Sequence, residues 1–251
     1  MIEVRDISKI YSSVTVLDGV SFRIADRSIT SFVGPNGAGK TTLLGIISRL
    51  IKPDGGEVLL DEKSISEYGG SDLAKRISIL KQSNFVNMRL TVRELIGFGR
   101  FPHSGGRLTG EDKDMVERAV EYLDLAEMAE KDINELSGGQ RQRAFIGMIV
   151  AQDTDHILLD EPLNSLDMRH SVEMMRILRR LTDELKKTVV LVLHDINFAA
   201  RYSDRMVALK NGKVAALGSV DEVVREDVLA SVFDVPLEIR EIDGKKICIY
   251  Y

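Results

Sequence analysis

The amino-acid sequence predicts an α/β protein, and three features predict it. The run Ser28-Ile29-Thr30-Ser31-Phe32-Val33 is β-branched and aromatic, reads as a buried strand and leads into a glycine-rich turn. Behind that turn Leu43, Leu44, Ile46, Ile47 and Leu50 recur at helical spacing. Further on, the apolar runs Ile157-Leu158-Leu159 and Val189-Val190-Leu191-Val192-Leu193 each stop at a polar residue, as buried parallel strands do.

The other elements follow in order. From Met1 to about Asp61 the chain mixes short alternating strands, such as Val20-Ser21-Phe22-Arg23-Ile24, with the glycine-rich turn and its helix. From about Ser83 to Lys131 the pattern turns mostly helical. Thr91-Val92-Arg93-Glu94 opens one helix with a hydroxyl-x-x-Glu capping box. Thr109-Gly110-Glu111-Asp112 opens another, carried on by Val116, Ala119, Val120 and Leu123, and Ser104-Gly105-Gly106 between them reads as a loop. Ser137 precedes Gly138, Gly139 and a run of helix formers from Gln140 to Ala151, so it reads as an N-cap with two flexible glycines behind it. The α/β pattern resumes from Ile157 to Leu193. Asn211-Gly212 predicts a hairpin turn within Ala208–Val214, and Asp243-Gly244 a second one between Leu237–Ile242 and Lys246–Tyr250.

The glycine-rich turn carries chemistry. Gly34-Pro35-Asn36-Gly37-Ala38-Gly39-Lys40-Thr41 fits G-x-x-x-x-G-K-[ST], and Thr42 continues it into the helix. Strand, turn and helix are the context in which this pattern cradles the phosphates of a nucleotide. Backbone N–H groups turn onto the phosphates, and the following helix presents its positive end to the same charge. Lys40 is expected to reach the β- and γ-phosphates and the Thr41 hydroxyl to ligate Mg²⁺.

Asp160 and Glu161 end the first apolar run, with Pro162 closing it. Open α/β sheets bind ligands at the carboxyl ends of their strands, so Asp160 is expected at the Mg²⁺ and Glu161 at a water attacking the γ-phosphate. His194 ends the second run and is expected over the γ-phosphate by the same reasoning. Ser137, as the cap of a glycine-rich helix start, forms an anion site of its own. The phosphate loop already serves one nucleotide, so this second anion site has no loop to go with it.

Composition narrows the function classes. The chain has 251 residues, 44% hydrophobic and 29% charged, with mean hydropathy −0.05, which suits a soluble α/β protein of one large domain or two closely packed ones. No apolar run is long enough to span a bilayer, and Met1-Ile2-Glu3-Val4-Arg5-Asp6 carries charge of both signs where a secretory signal would be apolar. Cys248 is the only cysteine, which excludes intrachain disulfides and cysteine metal clusters. A net charge of −5 gives no electrostatic reason to expect nucleic acid as a partner. Arg176, Arg179 and Arg180 read as the solvated face of one helix.

Taken together, the motifs resemble the ATP-binding subunit of ATP-binding-cassette (ABC) transporters over nearly the whole chain. Leu136-Ser137-Gly138-Gly139-Gln140 is similar to that family's signature without a substitution. Gln82, in Ile79-Leu80-Lys81-Gln82, falls where the family has its Q-loop glutamine, a contact to Mg²⁺ and water that senses the permease. Ser165-Leu166-Asp167 resembles the D-loop, which crosses to the partner subunit, and His194 fits the switch histidine. Tyr11 stands where the family has an aromatic that stacks on adenine, with Val16 beside it; by itself a Tyr ending a strand is more often plain packing. Leu163 departs from the small or hydroxylated residue common at its position. The resemblance implies a phosphate-loop ATPase core with a mixed or parallel sheet, an N-terminal antiparallel β subdomain and an inserted all-α subdomain. It divides the single domain 1–251 into core and β subdomains, about 1–82 and 157–251, and a helical subdomain, 83–156, that carries the signature.

The resemblance also implies cofactors and partners. ATP and Mg²⁺ are expected, the metal on Thr41, Gln82 and Asp160. Ser137, Gly138, Gly139 and Gln140 are expected to close on ATP held by a second copy of the chain, or a paralogous subunit, in a head-to-tail dimer. The pair is expected on the cytoplasmic face of the membrane, attached to an integral-membrane permease and served indirectly by a substrate-binding protein. Gly97-Phe98-Gly99-Arg100-Phe101-Pro102-His103 resembles the importer branch for ferric siderophores, haem and cobalamin. Lys81-Gln82-Ser83, Asp195-Ile196-Asn197 and the short C-terminus resemble its ferric-siderophore members, with a haem or cobalamin importer as the alternative. Arg100 to His103 also reads as a surface loop or a permease contact without bearing on cargo. A soluble ABC ATPase of translation or DNA repair would bring tandem cassettes or a long coiled coil, and a kinase would have no use for the signature.

Overall fold

The structure, a computed structural model, describes residues 1–82 and 88–250. In chain order the elements begin with β1 (Ile2–Tyr11), β2 (Val14–Ile24), β3 (Ile29–Val33), α1 (Lys40–Ile47), β4 (Gly55–Leu60) and β5 (Lys63–Ser64). Then come α2 (Gly70–Ala74), β6 (Ile77–Leu80), α3 (Val92–Phe98), α4 (Phe101–Ser104), α5 (Gly110–Tyr122), α6 (Gly138–Gln152) and β7 (His156–Asp160). The last stretch holds α7 (Met168–Asp183), β8 (Thr188–Val192), α8 (Ile196–Tyr202), β9 (Arg205–Lys210), β10 (Lys213–Ser219), α9 (Val220–Val223), α10 (Glu226–Phe233), β11 (Glu238–Ile242) and β12 (Lys245–Ile249). The chain forms two compact units, Met1–Tyr68 with Thr182–Tyr251, and Gly69–Leu181.

The first unit holds an antiparallel sheet in the order β2-β1-β4-β5. Ile2 and Val4 of β1 and Val20, Phe22 and Ile24 of β2 are buried in alternation, as a sheet with one covered face requires, and register shifts between Val4 and Ile7 and between Ile7 and Lys9 break the period before the buried Ile7 and Leu17. The same unit holds strands in the order β10-β9-β3-β8, with β3 parallel to both β8 and β9. Every residue of β3 and β8 is buried, which accounts for their unbroken apolar character. Phe22 of β2 meets Phe32 of β3 edge-on, with ring centroids 5.6 Å apart. Asn211 (φ 50°) and Gly212 (φ 75°) form the β9–β10 turn, and Asp243 and Gly244 the β11–β12 turn, where the sequence predicts them. The β11–β12 hairpin is fastened to α8. The Asn197 side chain donates to the Cys248 carbonyl at 3.1 Å and accepts from the Cys248 N–H at 2.7 Å.

The second unit pairs β6 with β7 in parallel, Ile77 opposite His156 through Leu80 opposite Leu159. Around them α3, α5 and α6 pack through Val92, Leu95, Ile96, Val116, Ala119, Val120, Phe145, Ile146 and Ile149, all buried. The predicted capping box at Thr91/Glu94 forms, and Thr109/Asp112 forms a second at the start of α5. The α/β class with its antiparallel β region and helical insertion is the observed one.

Details of the sequence reading change. The helix behind the phosphate loop ends at Ile47, so Leu50 is not one of its core residues; it lies past the end and is half exposed. Ser104 closes α4 and only Gly105 and Gly106 (φ 60° and 94°) make the turn. Arg100 is no surface residue: it is buried, its Nε donates to Asp112 at 2.8 Å and its guanidinium donates to the Ala151 carbonyl at 2.9 Å. Ser83 of the Lys81-Gln82-Ser83 run, and with it the start of the 83–156 helical subdomain, lies outside the described residues. On α7, Arg176 and Arg180 are exposed and Arg179 is partly so, and Arg180 covers the Tyr122 ring at 4.5 Å. Among the described residues no helix is long and apolar enough to cross a membrane.

Candidate nucleotide site

The phosphate loop springs from the end of β3. Gly34 (φ 137°), Gly37 (φ 78°) and Gly39 (φ 97°) all hold backbone conformations that side chains resist. At Gly34 a Cβ would lie 2.1 Å from the Leu209 carbonyl oxygen, and at Gly39 2.8 Å from that of Val16. Two of these glycines are therefore demanded by neighbouring backbone as well as by their own positive φ. Lys40 is buried at the start of α1, and its ammonium donates to the carbonyls of Gly34 (2.8 Å) and Pro35 (2.9 Å), which holds the charge inside the loop. Gly39 gives α1 no side-chain cap, so the first-turn N–H groups receive no acceptor from it, as an anion-binding helix start requires. Asn36, Gly37 and Thr41 are exposed, Pro35 and Thr42 partly so, and Ala38 is buried.

Tyr11, Val16 and His194 lie in the same unit as the loop. Tyr11 pairs with Val14 at the tip of the β1–β2 hairpin, about half exposed, with the Lys9 ammonium 5.2 Å from its ring centroid. Val16 touches the loop through its backbone, since its carbonyl stands beside both Gly39 and Gly212. Phe32 of β3 is opposite Val192 of β8, so Gly34 and His194 each follow by two residues at the same ends of neighbouring parallel strands. His194 is exposed and borders a hollow of about 200 Å³ lined by Ile196, Phe233, Val235, Leu237 and Tyr250.

Gln82, Asp160, Glu161, the signature and the D-loop residues lie in the second unit. Because Leu80 is opposite Leu159, Gln82 and Glu161 also emerge side by side, and the Gln82 Nε2 donates to Glu161 Oε2 at 2.6 Å. Asp160 is buried at the end of β7. Glu161 has φ 51° immediately before a proline, an unfavourable backbone state of the kind concentrated at reactive sites. Its carbonyl accepts from the Asn164 N–H at 3.1 Å, closing the turn that holds it.

Ser137 caps α6 as predicted. Its hydroxyl accepts from the Gln140 N–H at 3.3 Å and the Gln140 side chain accepts from the Ser137 N–H at 3.1 Å, a reciprocal box. Gly138 and Gly139 are not flexible spacers: both are the first residues of α6, and Gly139 is buried. Gln142 of α6 donates to the Pro162 carbonyl at 3.2 Å, tying this helix to the turn behind Glu161. In the D-loop, Ser165 has φ 64° and Asp167 immediately precedes α7, its carbonyl accepting from the Ser171 N–H at 2.9 Å. The Asp167 carboxylate accepts from the His170 backbone N–H, the bond that does most to hold its pKa below the usual range, and contacts His170 Nδ1, both at 2.8 Å.

Sequence reasoning missed the Gln82–Glu161 bond, the Gln142 tie and His170. The spacing Asp167-x-x-His170 at a helix start was the available signal for the last of these. For a metal, the Thr41 hydroxyl, the Asp160 carboxylate and the Gln82 amide oxygen are hard oxygen donors of the kind Mg²⁺ takes. Their chemistry fits the ion.

A phosphate loop on a strand–helix turn, a strand-end carboxylate pair and a capped, glycine-rich helix define an α/β nucleotide-binding ATPase. The family model described as ABC transporter matches residues 17–164. The chain is 52% identical to the petrobactin import ATP-binding protein YclP of Bacillus subtilis (strain 168) over 251 residues, all of both chains. It is 41% identical to the iron(3+)-hydroxamate import ATP-binding protein FhuC of the same organism, covering 96% of this chain and 91% of that one. Among solved structures it resembles the dimeric post-hydrolysis state of the ATP-binding cassette MJ0796 bound to ADP and Pi. That match has a TM-score of 0.77 and 31% identity, over 88% of this chain and 99% of the other. The chain belongs to the ABC transporter family.

Proposed function

We propose that this chain is the ATP-hydrolysing subunit of an importer for ferric siderophores. It works as a head-to-tail pair of copies, attached to an integral-membrane permease at the cytoplasmic face and served by a separate substrate-binding protein. Residues 34–42 wrap the triphosphate, with Lys40 on the β- and γ-phosphates, while Tyr11 and Val16 flank the adenine. Thr41, Asp160 and Gln82 hold Mg²⁺, which supplies charge neutralisation on the phosphate oxygens. Glu161 takes the proton of the attacking water, and His194 steadies the γ-phosphate. Ser137, Gly138, Gly139 and Gln140 of one copy close over the triphosphate of the other, with Ser165 and Asp167 crossing beside them. Closure depends on the γ-phosphate, so hydrolysis releases it and drives the permease through its cycle.

The observation that carries hydrolysis is the 2.6 Å bond from Gln82 to Glu161, which keeps a carboxylate oriented beside the strand-end Asp160. The ferric-siderophore cargo rests on the full-length likeness to import subunits for petrobactin and iron(3+)-hydroxamate. Glu161→Gln keeps the shape and removes the base. ATP binding is expected to survive while turnover falls by roughly 10²–10⁴, measured by nucleotide titration and phosphate release. Near-wild-type hydrolysis by folded Glu161→Gln protein would remove Glu161 from the mechanism. Uptake of ⁵⁵Fe-siderophores by cells lacking the chain tests the cargo; undiminished uptake would contradict it.

A further inference from the structure

The start of the signature helix rests on an imidazole. A Cβ built on Gly139 would lie 2.3 Å from Cδ2, 2.6 Å from Cγ and 2.9 Å from Nε2 of His170, so the ring occupies the space a side chain would need. The other edge of the ring is held: Nδ1 contacts Asp167 Oδ1 at 2.8 Å, and the same oxygen accepts the His170 backbone N–H at 2.8 Å. Gly138 completes the contact, since the nearest atom to its missing Cβ is the Ser165 carbonyl oxygen at 4.0 Å. The first two residues of α6 thus face the segment Ser165–His170, and all of these residues belong to one unit.

We infer that His170 is a positioning residue that locks the signature and the D-loop into one block. Its ring spaces Gly139, its Nδ1 fixes Asp167, and neither motif shifts without the other. The consequence rests on the proposed function: both motifs reach toward the second copy, so they must arrive in register when the pair closes. The His170 ring of its own chain is enough to require a glycine at position 139.

The steric and the hydrogen-bonding role of the His170 ring are separable by substitution. The full-length wild type, His170→Ala, Gly139→Ala and the double variant are compared at equal concentration for ATP binding, kcat, KM and thermal unfolding. His170→Ala is expected to bind ATP like wild type, with KM for ATP changed by less than about twofold and kcat reduced about tenfold or more, as for an ångström-scale misplacement. Gly139→Ala is expected to be the most damaged, because its methyl meets the ring. In the double variant the ring is gone, so kcat and melting temperature are expected to return to those of His170→Ala. Two results would overturn the inference: wild-type kcat in His170→Ala, or a double variant as inactive as Gly139→Ala alone. An inactive wild type would instead count against the ATPase reading itself.

Discussion

The phosphate loop and the signature are both rich in glycine and are both proposed to meet a nucleotide, yet the two regions keep their glycines for different reasons. In the loop, Gly34, Gly37 and Gly39 adopt left-handed backbone, and the strain of a side chain there is intrinsic. In the signature, Gly138 and Gly139 are ordinary helical residues, and what forbids a side chain at Gly139 is the neighbouring His170 ring. A loop glycine cannot be relieved by changing its surroundings, whereas Gly139 can. The loop is also complete in itself, with Lys40 bonded to its own carbonyls. The signature is a capped helix start without a loop, and the role proposed for it calls for a second copy.

The largest effect expected from this contrast is at Gly34. A methyl there would sit 2.1 Å from the Leu209 carbonyl, so Gly34→Ala is expected to abolish nucleotide binding in a fluorescent-ATP titration. Gly37→Ala sharpens the comparison: nothing lies near its Cβ, so only the left-handed strain of about 1–2 kcal/mol remains and the fold should persist. Equal damage from the two substitutions would mean that close backbone contact at Gly34 is not what matters.

A middle-sized effect is expected in the helices that carry the signature. The Thr109 backbone N–H, followed by Arg100 and the Thr109 hydroxyl, lowers the pKa of Asp112 from 3.8 to about 2. A carboxylate with a depressed folded-state pKa stabilises the fold fully above its unfolded value and loses that contribution as pH falls through the folded value. Asp112→Ala leaves the buried Arg100 guanidinium without its carboxylate, with only the Ala151 carbonyl remaining among the described residues, and should lower the melting temperature clearly at neutral pH. The gap to wild type should narrow as pH drops from 3.8 to about 2. A gap that stays constant over that window would detach the stabilisation from the ionised carboxylate.

The smallest effect is at the cap. Ser137→Ala removes one acceptor from the start of α6 and should cost about 0.5–2 kcal/mol of stability, read by denaturant unfolding. Thr91→Ala, at a cap without a nucleotide role, should cost a similar amount and leave turnover unaltered, whereas Ser137→Ala should also slow turnover. Equal turnover in the two variants would reduce Ser137 to a cap.

Much of this was legible in the sequence for a physical reason. Buried strands read as unbroken apolar runs, and caps and turns declare themselves through Thr91, Thr109, Ser137, Asn211 and Gly212, because those side chains satisfy local backbone groups or accept positive φ. The helix behind the loop was overextended to Leu50 because periodicity carries no stop signal there; Arg49 turns the chain with φ 60°. Arg100 was opaque because a buried ion pair depends on a partner twelve residues away across a helix junction. The bond between Gln82 and Glu161 joins residues seventy-nine apart, and only strand register aligns them.

Whether ATP is hydrolysed at sites completed by a second copy is read from specific ATPase activity against protein concentration, with the mass of the active species recorded at each step. Activity is expected to fall on dilution together with the dimer, and to be lost in Ser137→Arg protein that still binds ATP. Specific activity that stays constant down to a sample shown to be monomeric would contradict completion by a second copy.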